Sequence, residues 1–251
     1  MAGAVYKIEE YMKTNQMAEI ENVRRANSIL RTLIERTKSE SVGIGLFYGR
    51  PGIGKTRWAL KTALDNGFLY LRLIENMTVK DFLKELLRKL KFKHLSADMI
   101  EGTQNLLYEN ILDYLHSKPE TVIFIDEIDY AFHKPRILAS IRDIADQSLC
   151  TVVLVGMENA KSQLTKLDAH YFDRCNGFCK FQPLTKSDVG MIAESICEVG
   201  LDAELIEFIY KKSNGTIRVI NKYIENLERF AKKRGLNIVK YDDVKAIFQE
   251  L

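Results

Sequence analysis

The apolar positions of this chain follow two different rhythms. Up to about Pro183, short apolar runs alternate with longer stretches of helical spacing. "VGIGLFYG" (42–49), "FLYLRLI" (68–74), "TVIFIDEID" (121–129) and "CTVVLVG" (150–156) are continuous and short, which predicts buried strands of a parallel sheet. Between them, "TRWALKTALDNG" (56–67), the stretch opening with "TVKD" at Thr78, "MIEGTQNLLYENILDYLHSK" (99–118, from Gln104 onward) and "PRILASIRDIADQS" (135–148) predict helices. Thr78 and Asp81 have the spacing of a capping box, and Gly67 is placed to close the helix before it. Strands alternating with helices predict an α/β fold with a parallel sheet covered on both faces. After Pro183 the strand-like runs stop. "LTKSDVGMIAESICEVG", "DAELIEFIYKKSNG", "TIRVINKYIENLERFAKKRG" and "KYDDVKAIFQEL" predict four helices. Residues 1–41 are polar-rich and helical in spacing, with Ile20, Val23, Ile29, Leu30, Leu33 and Ile34 as the apolar positions. The expected organisation is a helical segment packing on the core (1–41), an α/β core (42–183) and a C-terminal helical lid (184–251).

A length of 251 residues suffices for one mid-sized α/β domain with a small appendage, and 46% hydrophobic with 28% charged residues is ordinary for a soluble globular chain. No apolar run approaches the roughly 20 residues of a membrane span. The start, "MAGAVYKIEEYMK", lacks a signal peptide's apolar segment, so a cytoplasmic protein with no membrane association is expected. Cys175 and Cys179 have no second close pair and no histidine cluster. Together with Cys150 and Cys197 they read as reduced thiols rather than metal ligands. A net charge of +3 permits a polyanionic partner without requiring one.

The chemistry concentrates after the first strand. Gly49, Gly54, Lys55 and Thr56 fit G-x-x-x-x-G-K-[ST], with Gly52 as an extra glycine. Glycines let the backbone turn so that successive N–H groups face phosphate oxygens, and the following helix adds the positive end of its dipole. The expected cradle comprises Gly49, Pro51, Gly52, Ile53, Gly54, Lys55, Thr56 and Arg57. It holds ATP, with Lys55 at the β- and γ-phosphates and Thr56 on Mg2+. "VIFIDEID" supplies the partner: Asp126 and Glu127 end a strand at the edge where open parallel sheets bind ligands. Asp126 is the expected second Mg2+ residue, and Glu127 the general base that polarises the attacking water.

With "GRPGIGKT", then "VIFIDEID", a further strand, and "SNGTIRVINKYIENLERFA" in a helical region, the chain resembles the AAA+ ATPases from about residue 20 to its end. The resemblance implies a P-loop NTPase sheet with a helical lid, and hydrolysis of ATP to ADP and phosphate. A narrower likeness, carried by "NVRRANSILRTLIERTKSESVGIGLFYGRPGIGKTRWA" and "FLYLRLIENMTVKDFLKELLRKLKF", is to the DNA transposition ATPases: the phage Mu B protein, TniB and TnsC. That family implies a homo-oligomer, ring or helical filament, built on duplex DNA with ATP and delivering a transposase or integrase to its target. It places Arg218 in "GTIRV" as the lid arginine at the γ-phosphate (sensor 2). Arg174 in "AHYFDRC" becomes the arginine finger, with Arg142 as its competitor, and Glu158 or Asn159 takes the sensor 1 position. The sequence leaves no room for the separate N-terminal DNA-binding domain of the Mu protein, an expectation against binding modes that depend on it. The alternatives are a switch ATPase acting on proteins, as in ExeA-like secretion, and a replication initiator-like ATPase. The lack of a membrane segment and of a winged-helix extension weighs against them.

"TVKDFLKELLRKLKFK" (78–93) is the candidate DNA surface. Phe82, Leu83, Leu86, Leu87 and Leu90 form one helical face, and Lys80, Lys84, Arg88 and Lys91 form a stripe opposite. Asp81 and Glu85 offset part of that charge. The stripe is either a solvated face or a sequence-independent contact to phosphates.

Overall fold

The computed structural model describes residues 17–37, 42–90, 102–167 and 173–248. They divide into two compact units, Arg24–Gln182 and the pairing of Met1–Val23 with Pro183–Leu251.

In the first unit, β1 (Gly43–Tyr48), β2 (Leu69–Arg72), β3 (Val122–Asp126), β4 (Thr151–Gly156) and β5 (Cys175–Lys180) form one parallel sheet in the order β2-β3-β4-β1-β5. The three central strands are buried almost throughout, as their continuous apolar runs predict, because helices cover both faces. The edge strands behave differently. β5 alternates buried Cys175, Gly177 and Cys179 with more exposed residues, and the sequence reading did not include it among the strands. Its "CNGFCK" carries no apolar run, and pairing with β1 is what makes it a strand.

Helices α2 (Lys55–Asn66), α3 (Val79–Leu90), α4 (Gln104–Ser117), α5 (Pro135–Ser148) and α6 (Ala160–Leu167) connect the strands, preceded by α1 (Glu21–Glu35). Residues 17–20 are not helical, and the remainder of the predicted N-terminal helical segment, 1–16 and 38–41, lies outside the described residues. Ile44, Leu46, Ile123, Ile125, Val152 and Leu154 face α3, α4 and α5 in one continuous core. On α3, Phe82, Leu83, Leu86, Leu87 and Leu90 are all buried in it, and Thr78 and Asp81 form the predicted reciprocal cap.

The opposite face holds α1 and α2. A methyl group on Gly177 would meet Ile29 Cγ2 at 2.9 Å and Leu33 Cδ1 at 3.1 Å, so α1 packs closely over this glycine and a larger residue would push those side chains aside. Val23, Ala26, Leu30 and Leu33 are buried, whereas Ile29 and Ile34 are half-buried. Arg36 ties the end of α1 to the start of β4, donating to Thr151 Oγ1 and Leu149 O at 2.7 Å each. On α2, Trp58 is fully buried. It stacks on Phe47 at 4.5 Å between ring centroids and meets Phe124 at 5.6 Å and Phe181 at 5.8 Å. Its indole N–H donates to Asn27 Oδ1 at 2.9 Å.

The second unit contains α7 (Lys186–Ile196), α8 (Ala203–Ser213), α9 (Ile217–Arg234) and α10 (Tyr241–Phe248), with a two-residue parallel pairing of β6 (Gly200–Leu201) and β7 (Ile238–Val239). Thr185 and Asp188 cap α7 reciprocally, and Asp188 also accepts the Glu21 N–H at 3.4 Å. Asp202 caps α8 through Leu205 N and also accepts Tyr241 N, so one carboxylate joins the starts of α8 and α10. Glu228 lies fully buried on the apolar side of α9, with Lys232 Nζ at 2.9 Å.

Trp58→Ala removes an aromatic that joins one helix to the sheet and leaves Asn27 unpaired. The expected loss is about 3–5 kcal/mol, or roughly 6–20 °C in melting temperature by calorimetry. An unshifted melting transition would show that this contact does not stabilise the unit.

Candidate nucleotide-binding site

β1 ends at Tyr48 and α2 begins at Lys55, so six residues make the turn between them. Gly49, Gly52 and Gly54 have φ of 154°, 76° and 98°, a region that other residues enter only at a cost. A side chain on Gly49 would also approach Phe181 O at 2.7 Å. Ile53 is buried and anchors the loop, while Pro51 is exposed. Gly54 stands at the N-cap of α2 and supplies no side-chain cap to its first turn. Lys55 is buried, and its Nζ donates to Gly49 O and Arg50 O at 2.8 Å each. Burial lowers the Lys55 pKa, and the charges of Asp126, Asp129, Glu127 and Glu158 oppose that shift. Thr56 is exposed in the first turn of α2, beside half-buried Arg57.

The strand register brings the acids to the same edge. Asp126 and Phe47 both align with Val155, so they stand in one row, two strand spacings or roughly 10 Å apart. Asp126 is buried. Its Oδ1 accepts the Glu127 N–H at 2.9 Å and its Oδ2 accepts the Tyr70 hydroxyl at 2.7 Å. Burial, followed by that hydrogen bond, holds the Tyr70 hydroxyl well above the usual phenol range. Glu127 has φ 58° and ψ 43°, a left-handed conformation that costs a non-glycine residue on the order of 1 kcal/mol. Its carboxylate pairs with Arg72 at 2.9 Å. Two residues on, Asp129 Oδ2 accepts Met157 N–H at 2.7 Å and thereby joins the ends of β3 and β4. Burial raises the Asp129 pKa.

Lys55, Asp126 and Glu127 are thus gathered at one edge of the sheet. The other predicted residues have partners or surroundings of their own. Glu158 pairs with Lys180 at 3.2 Å, and Asn159 precedes α6 with its carbonyl accepting Gln163 N–H. Arg174 is held by Asp146 of α5, Nε to Oδ2 at 2.6 Å. Arg142 pairs with its neighbour Asp143. Arg218 stands exposed in the first turn of α9, in the second unit. On α3, Lys80 and Lys84 are half-buried, while Arg88 and Lys89 lie within 3.5 Å and 3.7 Å of Glu85. Lys91 lies outside the described residues.

Tyr70 and Arg72 were not among the predicted site residues. Their signal was the alternation in "LYLRL": Leu71 and Leu73 are buried, and Tyr70 and Arg72, alternating with them, turn to the other side and meet the acids after β3's apolar run.

Among known proteins, the RuvB subunit of the Holliday junction branch migration complex of Mycoplasmopsis synoviae (strain 53) is 22% identical over 244 residues, which cover 89% of this chain and 68% of that protein. The Aeropyrum pernix ORC1 protein, solved in complex with DNA, superposes with a TM-score of 0.60 at 19% identity, over 94% of this chain and 66% of that one. The ORC2 protein of the same organism, in ADPNP–ADP complexes, gives 0.65 at 16% identity, over 91% and 68%. At such identities the likeness is one of fold, and the chain spans about two thirds of the length of each. Residues 37–164, just over half of the chain, match the model of the AAA domain, and the chain belongs to that family.

Proposed function

We propose that this chain is a Mg2+-dependent ATPase that assembles on duplex DNA and presents it to a transposase or integrase. The observation that carries the nucleotide part is the burial of Lys55 at the uncapped start of α2, with Asp126 and Glu127 at the same sheet edge. The residues fit the ligand. Three glycines turn the loop, the N-terminal end of a helix and a lysine suit phosphates, and the Thr56 hydroxyl with the Asp126 carboxylate is an all-oxygen set suited to Mg2+. When bound, Mg2+ neutralises phosphate charge. Lys55 exchanges its two loop carbonyls for phosphate oxygens, and Glu127 orients and deprotonates water. Glu127 meets Arg72 through Oε1.

Lys55→Ala is expected to weaken ATP binding roughly 10–100-fold in a direct titration, the loss of about 1.5–3 kcal/mol of charge-assisted hydrogen bonding. Unchanged affinity in a folded variant would remove the basis of the nucleotide reading. Glu127→Gln is expected to bind ATP normally and hydrolyse it about 10²–10⁴-fold more slowly. Turnover at the wild-type rate excludes Glu127 as the base.

The Pro183–Leu251 unit is read as the lid, with Arg218 as its γ-phosphate arginine. Arg174 serves as the finger of a neighbouring subunit only on leaving Asp146, so assembly would compete with that ion pair. The DNA part is supported by the narrower sequence likeness, by the similarity to ORC1, solved in complex with DNA, and to RuvB of the Holliday junction branch migration complex, and by Lys80, Lys84 and Arg88 opposite the buried face of α3. Arg88 also lies 3.5 Å from Glu85, so part of its charge is met on its own helix. Backbone contacts carry no sequence information, so binding is sequence-tolerant and salt-sensitive, and subunits repeated along DNA multiply it. Lys80→Ala combined with Lys84→Ala is expected to weaken ATP-dependent DNA binding and to lower the slope of log affinity against log salt by about 2 per subunit contact. Full affinity at an unchanged slope, with ATP binding intact, would return this helix to a solvated face.

A further inference from the structure

We propose that Tyr70 is a positioning residue for the divalent cation: its hydroxyl fixes how the Asp126 carboxylate is presented, and thereby sets the Mg2+ dependence of nucleotide binding. The inference rests on the nucleotide reading above and extends it to a side chain outside the loop and the acidic strand end.

β2 is the edge strand beside β3, and Tyr70 aligns with Phe124, two residues before Asp126 on the same face of the sheet. Its length lets the phenol reach one pleat forward, to Asp126 Oδ2 at 2.7 Å. An ionised carboxylate has about four acceptor positions on its two oxygens. Here one on Oδ1 takes the Glu127 N–H and one on Oδ2 takes the phenol, so both oxygens are engaged and the group is held against rotation. Asp126 is 2% exposed, too deep for bulk water to replace either donor freely. A phenol–carboxylate contact of this length is a charge-assisted bond, among the stronger ones available to a neutral donor. Asp126 therefore offers its remaining lone pairs in one fixed orientation. Mg2+ requires near-ideal octahedral geometry, whereas Ca2+ accepts flexible surroundings, so a carboxylate free to turn penalises Mg2+ more. Hydrogen bonds behind a metal ligand are typically worth 10–100-fold in metal affinity.

The test is Tyr70→Phe in the full chain, which keeps the ring and deletes one oxygen. Binding of a fluorescent ATP analogue is titrated with Mg2+, with Ca2+ and in EDTA, and melting is followed in parallel. The expected result is unchanged affinity in EDTA, a half-saturating Mg2+ concentration raised about tenfold, and a smaller shift for Ca2+. An unchanged Mg2+ midpoint overturns the proposal. So does a shift that appears only together with loss of EDTA affinity and of melting temperature, because that marks a role in folding alone. The wild-type arm separates the two claims. Nucleotide binding that Mg2+ does not alter overturns the metal reading of Asp126 and, with it, this proposal. A Mg2+-dependent wild type matched by Tyr70→Phe overturns only the role of Tyr70.

Discussion

The stack of Trp58 on Phe47 is the contact on which the rest of the site depends. Trp58 belongs to α2, four residues after Gly54, and accepts no compromise in depth because it is wholly buried. Phe47 lies on β1, Phe124 on β3 and Phe181 just beyond β5, so one indole couples the helix to three strands. Displacing it would move the start of α2, and with it Lys55, relative to the end of β3. Interiors packed at crystal density transmit such shifts rather than absorb them. The aromatic cluster thus converts an apolar requirement of folding into the relative placement of a cation and two acids.

A second layer of control is polar and sits at the sheet edge. Each acid that ends β3 has a partner from β2: Tyr70 for Asp126 and Arg72 for Glu127. The two differ in kind. Tyr70 meets a buried carboxylate at a short distance and leaves it little freedom. Arg72 is more than half exposed, where an ion pair is weak and readily exchanged. One side chain is suited to holding its acid in place, the other to giving it up.

The helical unit uses charge differently. Its helix starts are fixed by Asp188 and Asp202, each of which serves two backbone donors from different segments. Glu228 is the exception, a fully buried carboxylate whose partner Lys232 is shared with Glu198 at 2.9 Å. Such an arrangement tolerates the loss of neither partner, since an unpaired buried charge costs several kcal/mol.

By itself the sequence determined the central strands, the glycine loop after β1, the Thr78–Asp81 cap and the Gly67 stop, because each is governed by neighbours along the chain. A strand covered on both faces is apolar throughout, a tight loop favours glycine where φ is positive, and a capping box spans only four residues. It also placed the apolar face of α3, since helical periodicity is local. Tertiary structure alone decided the rest. β5 became a strand because β1 had an unpaired edge, not because "CNGFCK" prefers one. Arg174 met Asp146 across 28 residues, and Tyr70 met Asp126 across 56. A polar side chain's partner follows from strand order and register, and these are set by the packing of the whole sheet rather than by the residues beside it in the chain.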